Sequence, residues 1–398
     1  MSDILSQGGD RNPAPWRRRL VLIAVLAVVT VLIVLHLPHH RHAAARPRPA
    51  AAGPTALPLV PFGLRPAGPG GVSGLAMARD HDLRLPLTGP QPAWLWPATG
   101  REQAIGGLPR DQSGYQFTRV PRGWAVQAGS GTHFRCGGCA GPRVPVYFLA
   151  DGAQSAIRVG TANEVAPGIS ARDLWLTSYP PGSDMSTTAA TAQEVSTTGA
   201  AAGRPLRLPA GYVVYHATTR GLLLAPMTEP ATTAYRLLDP AAPQASRSFD
   251  GVLAATATQV AWATRCAPLC HVRVLDLATG QQTAIALPGA SSAVDGAFSP
   301  DGKFLALQVS FGNLGDDGAL AMQLDVASRA GGRPVVVPGI QVSSDALVSF
   351  GWPARGDDLV TELSFLTKVQ VASWHPGARH LAVAVVNPGR RFGSLILR

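Results

Sequence analysis

Lysine is nearly missing from this chain. Lys303 and Lys368 are the only two, so the 34 Lys plus Arg residues are almost all arginine. Charged residues are 15% of the sequence and aromatic residues 6%, lean against the roughly 25% charged that is ordinary for a globular domain. The net charge is nevertheless +10. Residues 1–72 hold eight Arg and two Asp, which leaves about +4 for the remaining 326 residues. That is too dilute for a nucleic-acid face, and no stripe alternates basic with aromatic side chains, so nucleic acid is excluded as a partner. The Arg, Ala, Gly and Pro bias suits a GC-rich genome, such as an actinobacterial one. Catalytic signatures are lacking too: there is no GxSxG, HExxH, GxxxxGK[ST] or EF-hand spacing. The expectation is therefore no catalytic set, no cofactor and no metal site. Asp316-Asp317 and Asp357-Asp358 sit beside glycine and read as turn residues facing water, with Ca²⁺ ligation the lesser alternative. His133, His216, His271, His375 and His380 are dispersed, and each reads as a satisfied or exposed histidine.

Long apolar runs are also scarce, with one exception. Leu20–Leu37 carries no charge, and fourteen of its eighteen residues are Leu, Ile or Val. At about 1.5 Å per residue it spans roughly 27 Å, close to the hydrocarbon thickness of a bilayer. The reading is a single uncleaved transmembrane helix; a cleaved signal peptide ending near Ala43-Ala44-Ala45 is the rival. No cysteine precedes Cys136, which excludes a lipid-modified amino terminus. Arginines 11 and 17–19 before the helix, against 41, 46 and 48 after it, favour a cytoplasmic tail of residues 1–19. Residues 38–72, dense in Pro, Ala, Gly and Arg, read as a spacer. The His39-His40-Arg41-His42 cluster within it reads as solvated rather than metal-binding, with anionic headgroups as the use for its charge.

The rest, 73–398, is organised by repetition. The stretch His271–Val309 reads strand, turn, strand, loop, strand, turn, strand. In its second turn Pro300 presets φ for the first central position, Asp301 suits the second, and Gly302 fits a left-handed bulge. A turn glycine followed about eight residues later by Leu-Pro occurs at Gly100, Gly199 and Gly280, and weaker copies lie near Gly152 and Asp325. Trp124, Trp175 and Trp262 occupy matching places in the preceding strand, where packing between repeats is the expected use of a tryptophan. Units start near Ser73, Tyr115, Asn163, Gly211, Asp250, Ser291 and Asp345, a spacing of about 40–54 residues, the range of four-stranded propeller blades. The predicted fold is an all-β β-propeller of seven four-stranded blades, with six or eight as alternatives, plus the amino-terminal transmembrane helix. Val369–Val386 aligns equally well with the third and fourth strands of the template or with its Phe298–Val309 hairpin, and its short distance behind Trp352-Pro353 favours the first. Gly393–Leu397 is left as a strand that closes the ring on the first blade. Gly182–Gly203, rich in Ser, Thr and Ala, reads as a long exposed loop of the third blade.

At Ser299-Pro300-Asp301-Gly302-Lys303-Phe304-Leu305-Ala306 the chain resembles the WD-like repeats of TolB-type β-propellers, and Leu275–Gly280 resembles the strand and turn of the same group. One repeat matches well. Trp352-Pro353 and Trp374-His375-Pro376-Gly377 lack the Asp-Gly pair. The resemblance implies binding of a protein or ligand on a ring face and brings no catalytic set with it. Ser299-Pro-Asp-Gly matches the sialidase Asp box only in part, because the later Gly-x-Thr-Trp is missing.

The four cysteines form two local pairs, Cys136/Cys139 and Cys266/Cys270, each between a Trp-bearing strand and the next. In a propeller this puts both pairs at equivalent tips on one face. A turn brings such positions within disulfide reach, so two disulfides are predicted; free thiols and a shared Zn²⁺ are the alternatives. A CxxC redox centre needs a βαβ setting, which is absent. Disulfides imply an oxidising, extracytoplasmic face. The expectation is thus a cell-membrane protein with its propeller outside, binding an envelope protein or a small ligand. An envelope hydrolase or lyase working in the central funnel is the alternative, and a sensor is a third reading.

Overall fold

A small β-sheet with two apolar faces has to be covered on both sides, and a ring of stacked sheets provides that cover. In a computed structural model of the chain the described residues are 84–386, apart from 88–90, 98, 111–113, 130–138, 228–233, 243–245, 265–268, 314–319, 344–346, 354–356, 366–367 and 380. They form seven antiparallel sheets, each a meander of consecutive strands. Blade 1 has three strands among the described residues: β1 (Leu85–Leu87), β2 (Ala93–Trp96) and β3 (Arg101–Ala104). The other six have four each. Blade 2 is β4 (Tyr115–Val120), β5 (Gly123–Ala128), β6 (Val144–Ala150) and β7 (Ile157–Ala162). Blade 3 is β8 (Glu164–Pro167), β9 (Asp173–Ser178), β10 (Ala189–Ser196) and β11 (Leu206–Ala210). Blade 4 is β12 (Tyr212–Thr218), β13 (Gly221–Pro226), β14 (Tyr235–Leu238) and β15 (Arg247–Phe249). Blade 5 is β16 (Val252–Ala255), β17 (Gln259–Ala263), β18 (Cys270–Asp276) and β19 (Gln282–Leu287). Blade 6 is β20 (Ser292–Phe298), β21 (Phe304–Asn313), β22 (Leu320–Ser328) and β23 (Val335–Ser343). Blade 7 is β24 (Leu347–Gly351), β25 (Leu359–Phe365), β26 (Lys368–Trp374) and β27 (Ala382–Val386). The protein is an all-β, seven-bladed propeller.

Blades 2 to 7 begin within about two residues of the repeat starts read from the sequence. The second strands show why the repeats are legible. All six residues of β5, Gly-Trp-Ala-Val-Gln-Ala, are buried, and so are the first four of β17. A strand covered on both faces reads as a continuous apolar run rather than an alternation. Outer strands do not: β3, Arg-Glu-Gln-Ala, is mostly exposed.

The core is distributed between blades rather than within them. One apolar cluster joins blade 1 to blade 2 through Trp94, Phe117 and Trp124. Another joins blades 2 and 3 through Phe148, Leu174 and Leu176, and a third joins blades 3 and 4 through Tyr179, Leu208 and Leu224. Blades 4 and 5 meet at Leu223, Phe249 and Trp262, blades 5 and 6 at Ile285, Leu305 and Leu307, and blades 6 and 7 at Val326, Phe350 and Trp374. The tryptophans serve this packing. The Trp94 indole donates to Ala153 O of the next blade at 2.9 Å, and Trp352 donates back to Ala297 O of blade 6 at 3.0 Å.

One sequence reading is corrected. Gly182–Gly203 is not a long loop, because Ala189–Ser196 within it is β10, paired with β9 along six positions and with β11 on its other edge. Ala190, Ala192 and Val195 are buried. Small Ala, Ser and Thr side chains let neighbouring blades approach closely, and their weak hydrophobicity hides the two-residue period. Leu20–Leu37, the 38–72 spacer, Gly393–Leu397, Cys136, Cys266, Asp316-Asp317, His133 and His380 lie outside the described residues. Among the described residues no helix is long and apolar enough to cross a membrane.

Replacing Ala192, fully buried between blades 3 and 4, by leucine is expected to cost about 1–3 kcal/mol by overpacking. Urea unfolding checks this; an exposed loop would tolerate the change within about 0.5 kcal/mol.

Candidate functional site

The first strands of consecutive blades face one another around the axis: β4 lies against β8, β8 against β12, β16 against β20, and β20 against β24. Because every blade is a meander, all the turns between first and second strands open on the same face. There they line a cavity of about 790 Å³ reached from that face. Its wall includes Arg119 and Arg122 of blade 2, Pro167 of blade 3, Tyr215 and His216 of blade 4, Thr258 of blade 5, Asp301 of blade 6 and Trp352 of blade 7. It is an axial funnel.

Three of the inner strands, β12, β16 and β20, are bulged. The ladders slip between Val214 and His216, between Val252 and Ala254, and between Ala293 and Asp295. A bulge inserts one residue and re-aims its neighbours, and this is how both Tyr215 and His216 come to line the funnel. Tyr215 meets Tyr235 edge-on, with ring centroids 5.4 Å apart. The His216 Nδ1 lies 2.7 Å from Ala217 O, and burial lowers its pKa to about 4, so the imidazole is neutral at pH 7.

The Ser299–Gly302 turn is the most elaborate part of the rim. Gly302 N donates to Ser299 O at 2.8 Å, and Gly302 takes a left-handed φ of 69°. The Ser299 hydroxyl donates to Asp301 Oδ1 at 2.7 Å and accepts Phe304 N at 2.9 Å. Asp301 also accepts the Lys303 amide and pairs with its ammonium at 2.7 Å. The Lys303 side chain is the main reason that the Asp301 pKa falls to about 2. A methyl at Gly302 would lie 3.1 Å from the buried Gln259 amide. The Gln259 side-chain oxygen accepts from Arg329 Nε and Nη1 at 3.0 and 2.9 Å. Arg329 also pairs with Asp276 of blade 5, and Asp276 accepts Ala278 N and Thr279 N at 2.9 Å each. One blade on, Arg220 Nε donates to Leu277 O at 2.9 Å, and Thr219 N donates to Ala257 O at 2.8 Å. The funnel mouth is thus a chain of turn-to-turn hydrogen bonds.

Among the described funnel residues no nucleophile is paired with a base. The Ser299 hydroxyl is engaged by its own turn and has no contact with His216. Asp358 accepts from Ser373 at 3.2 Å and meets His375 at 2.9 Å, at the mouth of β25 and away from the funnel wall. His271 lies 3.2 Å from Leu269 O. No cluster of three or more His, Cys, Asp or Glu is placed to hold a metal among the described residues. Cys139 lies in the β5–β6 connection and Cys270 starts β18, so both belong to second-to-third connections, which open on the face opposite the funnel. Both are disulfide-bonded; the partners assigned to them from the sequence, Cys136 and Cys266, lie outside the described residues.

Sequence reasoning missed the funnel cations, Arg119, Arg122 and Arg329, and His216. The signal was there in part. Once the repeats are phased, each first-to-second turn marks a rim position, and Val120-Pro121-Arg122-Gly123 is one of them.

No protein-family model matches the chain, and none of the curated proteins does. Among solved structures it is similar to one from an analysis of two prolyl endopeptidases, with a TM-score of 0.50 and 13% identity over 80% of this chain and 53% of that one. It is also similar to TolB from Acinetobacter baumannii, with a TM-score of 0.44 and 11% identity over 80% of this chain and 66% of that one. Prolyl oligopeptidase B from Galerina marginata gives a TM-score of 0.45 and 11% identity over 75% of this chain and 45% of that one. The chain therefore spans about half the length of the endopeptidase and two thirds or less of the others. What the likeness shows is the fold, a β-propeller.

Glu164 begins β8, three residues before the funnel-lining Pro167; it is partly buried, and this desolvation raises its pKa to about 7. Burial, and after it the Glu164 charge, raises the pKa of Tyr179, whose hydroxyl donates to Tyr212 O at 3.1 Å. A carboxyl whose folded pKa exceeds its unfolded value stabilises the fold fully below about pH 4.5, and that stability is lost as pH rises through 7. His216 has the opposite sign, being stabilising above pH 6.5 and losing that contribution as pH falls through 4. Replacing Glu164 by glutamine is therefore expected to gain on the wild type between pH 5 and pH 8, by on the order of 2–3 kcal/mol. Thermal melts at the two pH values check this; an unchanged difference would contradict the buried carboxyl.

Proposed function

We propose that this chain is a membrane-anchored, extracytoplasmic binding module. It is a propeller of TolB type by its Ser299–Ala306 repeat, and it presents the axial funnel to a protein or small ligand of the cell envelope. The observation that carries the reading is the funnel itself. It is a preformed concavity on one face, held open by turn-to-turn hydrogen bonds, in which no described nucleophile is poised for reaction. Preformed concave sites with a few convergent polar groups are the usual place for ligands. The anchor is Leu20–Leu37 and the spacer is residues 38–72. The bridges Cys136–Cys139 and Cys266–Cys270 brace the opposite face, consistent with an oxidising compartment.

A second reading, an envelope hydrolase or lyase, draws on one observation: a neutral imidazole, His216, lines the funnel. Its Nδ1 is held by Ala217 O at 2.7 Å, which leaves the other ring nitrogen to accept a proton. A pKa near 4 makes it a weak base at neutral pH, and no described nucleophile is hydrogen-bonded to it, which makes the binding module the better-supported reading.

In-cell crosslinking of the full-length chain, followed by affinity purification from membranes and mass spectrometry, is expected to recover one stoichiometric envelope partner. Repeated absence of any protein partner would overturn the protein-binding form of this reading and direct attention to small envelope molecules and hydrolase substrates.

A further inference from the structure

The funnel carries more positive than negative charge, and its cations are not equivalent. Arg119 is fully engaged. It grips Asp151 with two hydrogen bonds of 2.7 and 2.9 Å, donates to Gly123 O at 3.0 Å and lies over the Trp124 ring. Arg329 is held by Asp276 and Gln259. Asp301, the acid of the wall, is taken by Lys303. Arg122 differs: no carboxylate among the described residues pairs with it, it is exposed, and it lines the funnel.

Its backbone is unusual as well. Val120 and Gly123 close the β4–β5 hairpin, so Pro121 and Arg122 are the two central residues of its turn. Proline followed by a positive-φ residue is the order of a type II turn, whose second central place belongs to glycine or asparagine. Arg122 sits there with a φ of 61°, the only non-glycine with positive φ among the described residues. Such a conformation is disfavoured for a side chain with a Cβ, which crowds the following carbonyl oxygen. It is fixed from behind, because Asp151 N donates to Arg122 O at 2.9 Å while the Asp151 carboxylate is taken by Arg119. Asp151 thus secures the Arg122 backbone while its carboxylate is engaged by Arg119. A turn built for glycine instead holds an arginine at the funnel rim that no described carboxylate pairs with.

We propose that Arg122 is a ligand-binding residue and that the funnel takes a carboxylate-bearing ligand, gripped by the guanidinium fork. A planar guanidinium matches a carboxylate with two parallel hydrogen bonds, which a lysine cannot reproduce. The inference rests on the reading of the funnel as the binding site. The carboxylate can come from an acidic peptide segment or from a small organic acid.

The test uses the full-length chain in detergent, a C-terminally amidated Gly-Ala-Asp-Gly-Ala-Asp peptide carrying an uncharged BODIPY label, its Asn-for-Asp counterpart with the same label and amide, and succinate. Anisotropy is expected to show binding of the acidic peptide, or displacement of it by succinate where a small acid is the ligand. The Asn peptide should bind at least about tenfold more weakly, the loss expected for a charge-assisted hydrogen bond. Arg122→Gly is the informative variant: glycine accepts the 61° φ without strain, so the melting temperature should hold or rise while acidic binding falls at least about tenfold. Arg122→Lys should recover only part of it. Equal binding of both peptides, blocked for both by Thr258→Trp, would keep the funnel as a binding site and overturn the carboxylate. Unchanged acidic binding by Arg122→Gly would overturn the role of Arg122. No binding of peptide or acid, with a crosslinked partner retained by Thr258→Trp, would overturn both this inference and the funnel reading.

Discussion

Everything in this fold depends on one packing constraint: each four-stranded sheet has two apolar faces, and its neighbours must cover both. Among the described residues, six inter-blade clusters cover the six successive junctions between blade 1 and blade 7, from Trp94 and Trp124 at the first to Phe350 and Trp374 at the sixth. At about 25 cal/mol per Å² of apolar surface removed from water, such junctions supply the driving force that no blade has alone. The constraint also fixes the position of the site. Once meanders stack around an axis, their first strands face inward and their first turns gather on one face. A funnel follows from the topology before any residue has been chosen for function.

What the residues add is rigidity at the rim. The Ser299–Gly302 turn, Gln259, Arg329 and Asp276 tie blade 5 to blade 6, and Arg220 and Thr219 tie blade 4 to blade 5. Three inner-strand bulges in consecutive blades then aim individual side chains at the axis. The hydrogen-bonded turns hold the mouth in shape, and the bulge in β12 brings Tyr215 and His216 to its wall. Behind the wall, Glu164 at the start of β8 carries a carboxyl that burial keeps protonated up to about pH 7.

The sequence carried the fold further than the site, for physical reasons. Doubly covered second strands such as Gly123–Ala128 become continuous apolar runs, and glycines such as Gly221, Gly280 and Gly302 mark several of the turns, so the repeat is visible along the chain. Where apolar bulk is small the signal fades: β10, built from Ala, Thr, Gln, Glu, Val and Ser, is buried by close approach and not by large side chains, and it reads as a loop. The funnel is harder still, because Arg122, His216 and Asp301 lie about 90 residues apart in sequence and meet only through the ring's curvature. The one local trace is a proline followed by arginine at a place where the turn asks for glycine.

The central claim, that the face bearing the first-to-second turns is the working face, is tested most directly by position-specific photo-crosslinking of the full-length chain in its own membranes. A photo-reactive residue at Thr258 lies on the funnel wall, and one at Leu269 lies on the opposite face of the same blade. The account predicts a discrete adduct from Thr258 and none from Leu269. An adduct from Leu269 alone would contradict it and move the binding surface to the cysteine-bearing face.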